Sequence, residues 1–489
     1  MKHLKDLPYN DTPPNAATMI NSFRSFGYDL KTAIADIIDN SISALAKNIW
    51  IDYQWKGGHS WVTITDDGYG MDGETLIEAM RPGSKNPIDE RDEKDLGRFG
   101  LGLKTSSFSQ CKCLTVITKK IGYNLIKRHW DLDYVNELGI WRIHDYLSED
   151  HFTSRLQKLE SGTTVIWEKM DRLVGRLNIK KENETTRKAF LEEFEDVENH
   201  LSLVFHRYID RNKLNIWIND YKIKAWDPFM KEADGTQRIA EEKLDNKQIQ
   251  IRCYVIPHSS KIRLEDREET RINQWYDLQG FYIYRNNRLL LYGDWLKLFP
   301  KKEYFKNARI LIDIPNALDS QWKIDIKKAK ATPPLNIRDD LKRLALLTRR
   351  SAANVHRFRD PITPNKDRGF QSLWHVIKNR DGIVQYRINS KHTLVETLLK
   401  SNQINKRDFK KVLHLVAQTI PIESIIQSYD EYHRESILLK ELDPETIEIA
   451  RELFDSMVFA GKTKERAVKD ILCVEPFNKY PQLEKYLVS

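Results

Sequence analysis

Three short stretches of this chain carry the residue types best suited to chemistry. In AIADIIDNSISA, Asp36 and Asn40 stand four residues apart, and at a helical period they share one face. A side-chain amide oxygen suits magnesium, a hard cation that prefers oxygen ligands and keeps several waters. A carboxylate one turn earlier could polarise an attacking water as general base. The same pair would also serve as the polar outer face of an amphipathic helix. In TDDGYGM, Asp66 closes a β-rich run and Asp67-Gly68-Tyr69-Gly70-Met71 follows. A carboxylate at a strand end can accept from an adenine amino group, and glycines let the backbone approach a flat base. A plain strand-to-helix turn is the alternative.

In GRFGLGLKTSS, Gly97, Phe99, Gly100, Leu101 and Gly102 precede Lys104 at the start of a helical pattern. Backbone N–H groups at a helix start bind phosphate, and Lys104 adds a positive charge. GxxxxGK[ST] is absent, so this is not a Walker loop. The GxxGxG spacing, with no strand directly before it, is not a dinucleotide fingerprint either. The polar loop 81–96 has the length and character of a lid. In this order and spacing, the three stretches fit an ATP site.

The elements that must position them follow from hydropathy. Residues 33–45 place Ile34, Ile37, Ile38, Ile42 and Leu45 at a helical period. A further helix is predicted over 16–26, with strands at 49–53, 61–65, 114–118, 123–130 and 163–167. Segregated helices and hairpin-connected strands argue for an α/β sandwich, not a doubly wound sheet. A charged linker at 180–187 leads to a long helix over 188–208. Strands recur at 214–218, 249–255, 280–285, 289–292 and 309–314, which read as a second, α+β domain. Asn286-Asn287 suits the turn of the hairpin YIYRNNRLLLY. A basic helix over 337–358 and a break at 361–364 precede a mostly helical remainder with no motif tied to chemistry.

A chain of 489 residues is too long for one core. No apolar run reaches the ~20 residues needed to span a bilayer, and the first residues lack the apolar centre of a secretory signal. The four cysteines show neither CxxC spacing nor a disulfide framework, so a reduced, cytoplasmic protein is expected. Cys111 and Cys113 alternate on a strand, and no metal or redox role is expected of them. Between 323 and 359 there are eleven Lys/Arg and three Asp, a surplus equal to the whole chain's +8.

The order of the motifs resembles the GHKL ATPase superfamily of gyrase, the heat-shock chaperone, histidine kinases and MutL. On that resemblance Asp36 takes the place of the general base and Asn40 that of the magnesium ligand. Asp66 matches the adenine-reading aspartate, with Gly68 and Gly70 beneath the base and Met71 after them. Gly97, Gly100 and Gly102, with Phe99, Leu101 and Lys104, match the lid and phosphate loop. Gly162-Thr163, ahead of the strand TVIW, matches the last box, whose threonine contacts adenine. Two departures stand out: the base position is usually glutamate, and Ser43 stands where an aspartate usually ends the helix.

SFRSFGYDLKTAIADIIDNS, QGFYIYRNNRLLLYGDW and SQWKIDIKKAKATPP extend the likeness over about the first 350 residues to microrchidia (MORC)-type ATPases, especially prokaryotic ones. The resemblance implies a Bergerat-fold α/β sandwich with an N-terminal strap over 1–178, an S5-like α+β transducer over 179–360, and a helical region over 361–489. It implies that Lys327 or Lys328 reaches the ATP γ-phosphate. The expected protein is a Mg2+-dependent ATP hydrolase that dimerises on ATP binding. It would clamp or remodel DNA without strong sequence preference, in an anti-phage or restriction-type system with possible protein partners. The alternative is a nucleotide-binding switch or scaffold with negligible turnover.

Overall fold

In the computed structural model, residues 10, 12, 14–25, 27–83, 102–145, 150–172, 184–245, 248–259, 262, 270–318, 321–324, 331–357, 373–378, 384–400, 405–419, 444–459, 461–474, 476–477, 480 and 482–488 are described. They divide into two units, 1–349 and 350–489. Unit 1 opens with helices α1 (Ala16–Arg24) and α2 (Leu30–Ser43). Asn15 and Asp29 cap them, their side chains accepting from the Thr18 and Thr32 N–H groups, which satisfies donors a helix start leaves orphaned. Next come β1 (Asn48–Gln54), β2 (Trp61–Asp66), α3 (Gly73–Met80), α4 (Gly102–Phe108), β3 (Cys113–Lys119) and β4 (Ile126–Asp131). Then follow α5 (Leu132–Leu138), α6 (Ser154–Lys158), β5 (Gly162–Glu168), α7 (Glu184–Val204), α8 (His206–Asp210), β6 (Asn215–Ile218) and β7 (Tyr221–Lys222).

The first sheet runs β4-β3-β5-β2-β1-β6-β7. Its inner face and the helices share one core, with Ile34, Ile37, Ile38, Ile49, Ile64, Val116 and Trp167 fully or almost fully buried. Each such side chain contributes about 1.5–3 kcal/mol, and α2 packs against both α4 and α7. Residues 215–222 do not belong to the second sheet, although their position in the chain suggests it. β6 pairs in parallel with β1, Ile216 opposite Ile49. The long helix also begins earlier than expected, at Glu184.

The second sheet holds β8 (Gln237–Leu244), β9 (Ile249–Val255), β10 (Gly280–Arg285), β11 (Arg288–Asp294) and β12 (Ala308–Ile314), in the order β11-β10-β12-β9-β8. The hairpin turn is as expected, with Asn286 at φ 49° and Asn287 at φ 69°, the doubly left-handed backbone of a type I′ turn. Helix α9 (Leu335–Arg357) buries Ile337, Leu341, Leu344 and Ala345 and exposes Arg338 and Lys342. Arg343 bonds Glu242 of β8 at 2.6 Å. Arg349 is only 8% exposed, its guanidinium 4.0 Å from the Phe305 ring centre and 4.2 Å from that of Phe299.

Unit 2 is less uniformly helical than its sequence suggests. An antiparallel pair, β13 (Trp374–Lys378) and β14 (Val384–Ile388), precedes α10 (Thr393–Lys400) and α11 (Lys406–Gln418). Helices α12 (Pro444–Phe459), α13 (Lys464–Ile471) and α14 (Leu483–Val488) share a core of Ala450, Leu453, Phe454, Ile471 and Leu483. Among the described residues no helix is long and apolar enough to cross a membrane.

Candidate nucleotide site

The site is built where three strand ends meet α2. Asp66 ends β2, opposite Ile49 of β1 and Thr163 of β5, and Thr163 is in turn opposite Thr118 of β3. The Asp66 carboxylate accepts from Ser41 Oγ at 2.8 Å and from the Gly68 N–H at 2.9 Å. It is 6% exposed. Burial, the leading cause, pushes its pKa up to about 6 against the bonds from Ser41, Gly68 and Thr163. Thr118 Oγ1 accepts from the Met71 N–H at 2.9 Å and lies 3.1 Å from Thr163 Oγ1. Met71, Thr118 and Thr163 thus form a hydroxyl network beside the Asp66 strand end.

The glycines of the turn answer first to the protein's own packing. A Cβ on Gly68 would stand 2.9 Å from both Cβ and O of Ala44. Gly70 has φ +67°, and its Cβ would fall 2.0 Å from the Lys119 carbonyl oxygen, a clash no L-residue could relieve without moving backbone. Asp67, by contrast, is structural: its carboxylate accepts from the Lys47 and Asn48 N–H groups at 2.7 and 2.8 Å.

Helix α2 presents different groups on different sides. Asp36 is 5% exposed, and its Oδ2 accepts from Tyr28 Oη at 3.0 Å. Gln110 Nε2 holds the Tyr28 carbonyl at 2.9 Å. Asn40, one turn on, is exposed. Asp39 turns to the second sheet, where Arg288 Nε meets it at 2.9 Å. Hard oxygen donors on an exposed amide and a neighbouring carboxylate fit a magnesium ion.

Lys104 is buried, and its Nζ donates to the Ala79 carbonyl at 2.9 Å, tying α4 to the end of α3. Gly102 starts α4. Gly97, Phe99, Gly100 and Leu101 lie outside the described residues, as do Lys327 and Lys328. On either side of the two lysines, the Thr332 N–H donates to the Trp322 carbonyl at 2.7 Å. The fold therefore gathers Asp36, Asn40, Asp66, Gly68, Gly70, Met71 and Thr163 around α2 and one end of the sheet. Sequence reasoning missed Tyr28, Asp39, Ser41, Thr118 and Arg288. Ser41 and Asp39 sit inside the helix motif and could have been found there; Arg288 carries no sequence signal.

Such a site can read an amino-bearing base with a buried acceptor and hold a hard cation and a water nearby. Residues 28–163 match a family described as histidine kinase-, DNA gyrase B- and HSP90-like ATPase. The chain is 32% identical over 91 residues to ATPase morc-1 of Caenorhabditis elegans, covering 19% of this chain and 10% of that protein. It is 32% identical over 90 residues to MORC family CW-type zinc finger protein 3 of Mus musculus, covering 18% and 10%. The match thus spans about a tenth of each relative's length. Residues 28–163, which hold Asp36, Asn40, Asp66 and Thr163, are a GHKL-type ATPase domain, and the chain has weak homology to the MORC ATPases over about 90 residues.

Proposed function

We propose that the protein binds ATP with Mg2+ and hydrolyses it, that ATP joins two chains into a closed dimer, and that this dimer clamps or remodels DNA. The observation that carries the nucleotide reading is the 2.8 Å bond from Ser41 to Asp66. It fixes α2, with Asp36 and Asn40 on one face, against the strand end whose carboxylate would accept from adenine. Thr163 and Met71 would border the base, and Asn40 would hold the magnesium ion. Bound magnesium supplies positive charge against the phosphate oxygens. The stretch 97–102 would hold phosphates, and Lys327 or Lys328 the terminal one; Lys104, expected from sequence to face the phosphates, is buried with its Nζ on the Ala79 carbonyl and would instead anchor α4 to α3. Asp36, oriented by Tyr28, would accept the proton of the attacking water.

DNA binding is supported by the charge surplus of 323–359, of which Arg338 and Lys342 are exposed on α9. Interactions of this kind go to phosphates and tolerate sequence. An anti-phage or restriction-type setting rests on the family likeness and on no particular residue. Light scattering with a non-hydrolysable ATP analogue tests the dimer: a doubled mass and compact radius support it, an unchanged mass and radius reject it. A switch with negligible turnover is the second reading. It is favoured by Asp36 being a methylene shorter than glutamate and already bonded to Tyr28.

A further inference from the structure

We propose that Cys113, His129 and Asp131 form a zinc site at the opposite end of β3 from the nucleotide. Strands β3 and β4 pair with Cys113 opposite Asp131 and Thr115 opposite His129. Side chains alternate along a strand, so these four project from one face of the sheet. One ligating atom from each of Cys113, His129 and Asp131 lies within 4.8 Å of the others, and Cys113 Sγ is 3.5 Å from Asp131 Oδ2. Around a tetrahedral zinc with bonds of ~2.0–2.3 Å, neighbouring ligand atoms stand about 3.3–3.8 Å apart. The three groups are therefore close to that arrangement already. Thr118, at the nucleotide end, is about 17 Å away along β3 at the usual rise.

One further feature points to a metal. The ligands are held from outside: Thr115 Oγ1 lies 2.7 Å from His129 Nδ1, the arrangement in which a histidine coordinates through Nε2. Asp131 Oδ1 accepts from the Asp133 N–H at 2.9 Å and the Tyr134 N–H at 3.3 Å, which fixes the carboxylate with Oδ2 toward Cys113. That same Oδ2 is paired with Lys169, whose Nζ lies 3.0 Å from it and 3.8 Å from Asp133 Oδ2, so a bound metal would displace this ammonium. The Lys169 side chain is 51% exposed, so it can swing into water and give way to a metal. A free thiol, an imidazole and a carboxylate form the mixed, borderline-soft donor set that zinc takes, and magnesium does not. A metal here would pin the edge strand β4 and the start of α5 to β3. Cys111 lies before β3, and its thiol donates to the Ser107 carbonyl at 3.3 Å; the partners of Cys113 come instead from His-x-Asp on the next strand.

The test uses the full chain, stripped with a chelator and titrated with Co2+ and then Zn2+. One equivalent per chain should bind with a thiolate-to-cobalt absorption band, and zinc should raise the melting temperature. Cys113→Ser should abolish the band, and Cys111→Ser should keep it. Lys169→Met removes the competing ammonium and should tighten zinc binding about tenfold, the scale of outer-shell effects. Should Cys113→Ser fail to fold, the Lys169→Met comparison stands alone, since that side chain is half exposed. Binding that survives in a folded Cys113→Ser variant, or no stoichiometric binding in either wild type or Lys169→Met, overturns the proposal.

Discussion

Arg288 Nε donates to Asp39 Oδ1 at 2.9 Å, joining β11 to α2 across 249 positions of the chain. The two side chains are 5% and 1% exposed, and the guanidinium also lies 4.7 Å from the centre of the Phe205 ring. Asp39 lies between Asp36 and Asn40 in the chain, so on the proposed function a shift of the second sheet's hairpin would be passed to α2 through this buried ion pair. Removing one partner strands the other charge. Arg288→Met should therefore cost ~3–5 kcal/mol of stability, and adding Asp39→Asn should restore part of it. Urea denaturation of the two variants decides, and a single-variant loss under ~1 kcal/mol would mean the pair does not couple the elements.

Asp66 gives a pH dependence with a definite sign. Burial raises its folded pKa to about 6, so ionising it costs the folded state. The stability it contributes is full below the ordinary carboxylate range and is lost as pH rises through about 6. Nucleotide binding runs the other way, because only the carboxylate is a pure acceptor, and affinity for the base should fall below about pH 6. ATP phosphates also titrate near neutrality, so the clean observable is the 13C carboxyl resonance of Asp66. Its midpoint should lie near 6 without nucleotide and move down when nucleotide saturates. A midpoint near the ordinary carboxylate value, unmoved by ATP, would remove Asp66 from the site. Asp66→Ala should abolish adenine-nucleotide binding in calorimetry.

The basic helix separates binding from folding. Arg338 and Lys342 are exposed, whereas Arg349 is packed over Phe299 and Phe305. Arg338→Glu with Lys342→Glu should weaken DNA binding and flatten its log–log salt slope by ~0.9 for each phosphate no longer neutralised, with ATP affinity unchanged. Arg349→Glu should instead lower the melting temperature, since a carboxylate would face aromatic rings. No DNA binding at low salt, with or without ATP, would turn attention to a protein client.

What was legible in the sequence was local. The α2 period through Ile38, the Asp66 strand end and the Asn286-Asn287 turn each depend on a few adjacent residues, and each is found where expected; Leu45, expected on the same buried face, lies past the helix end and is 74% exposed. What was not legible depended on distant partners. NIWI at 215–218 is a plausible strand in any sheet, and only its fit beside Ile49 and Ile51 places it in the first. Strand β8, QRIAEEKL, is a largely exposed edge, so it lacks the apolar alternation that marks a strand. Arg349 reads in sequence as one more surface charge, because the rings beneath it come from a loop some forty to fifty residues earlier. Asp36, Asn40 and Thr163 could be paired with roles from motif order, yet the Ser41–Asp66 bond that ties them together has no signature in spacing.

The central claim is that α2 supplies a working general base beside a bound nucleotide. It is tested by steady-state phosphate release from Mg·ATP, measured for wild type and Asp36→Asn, with ATP affinity of both taken by calorimetry. Wild type should release phosphate; Asp36→Asn should keep its ATP affinity and lose ~10²–10⁴-fold in turnover, the range for a lost general base. Equal turnover in the two proteins would contradict the role of Asp36, and no phosphate release from a wild type that binds ATP would make the protein a switch.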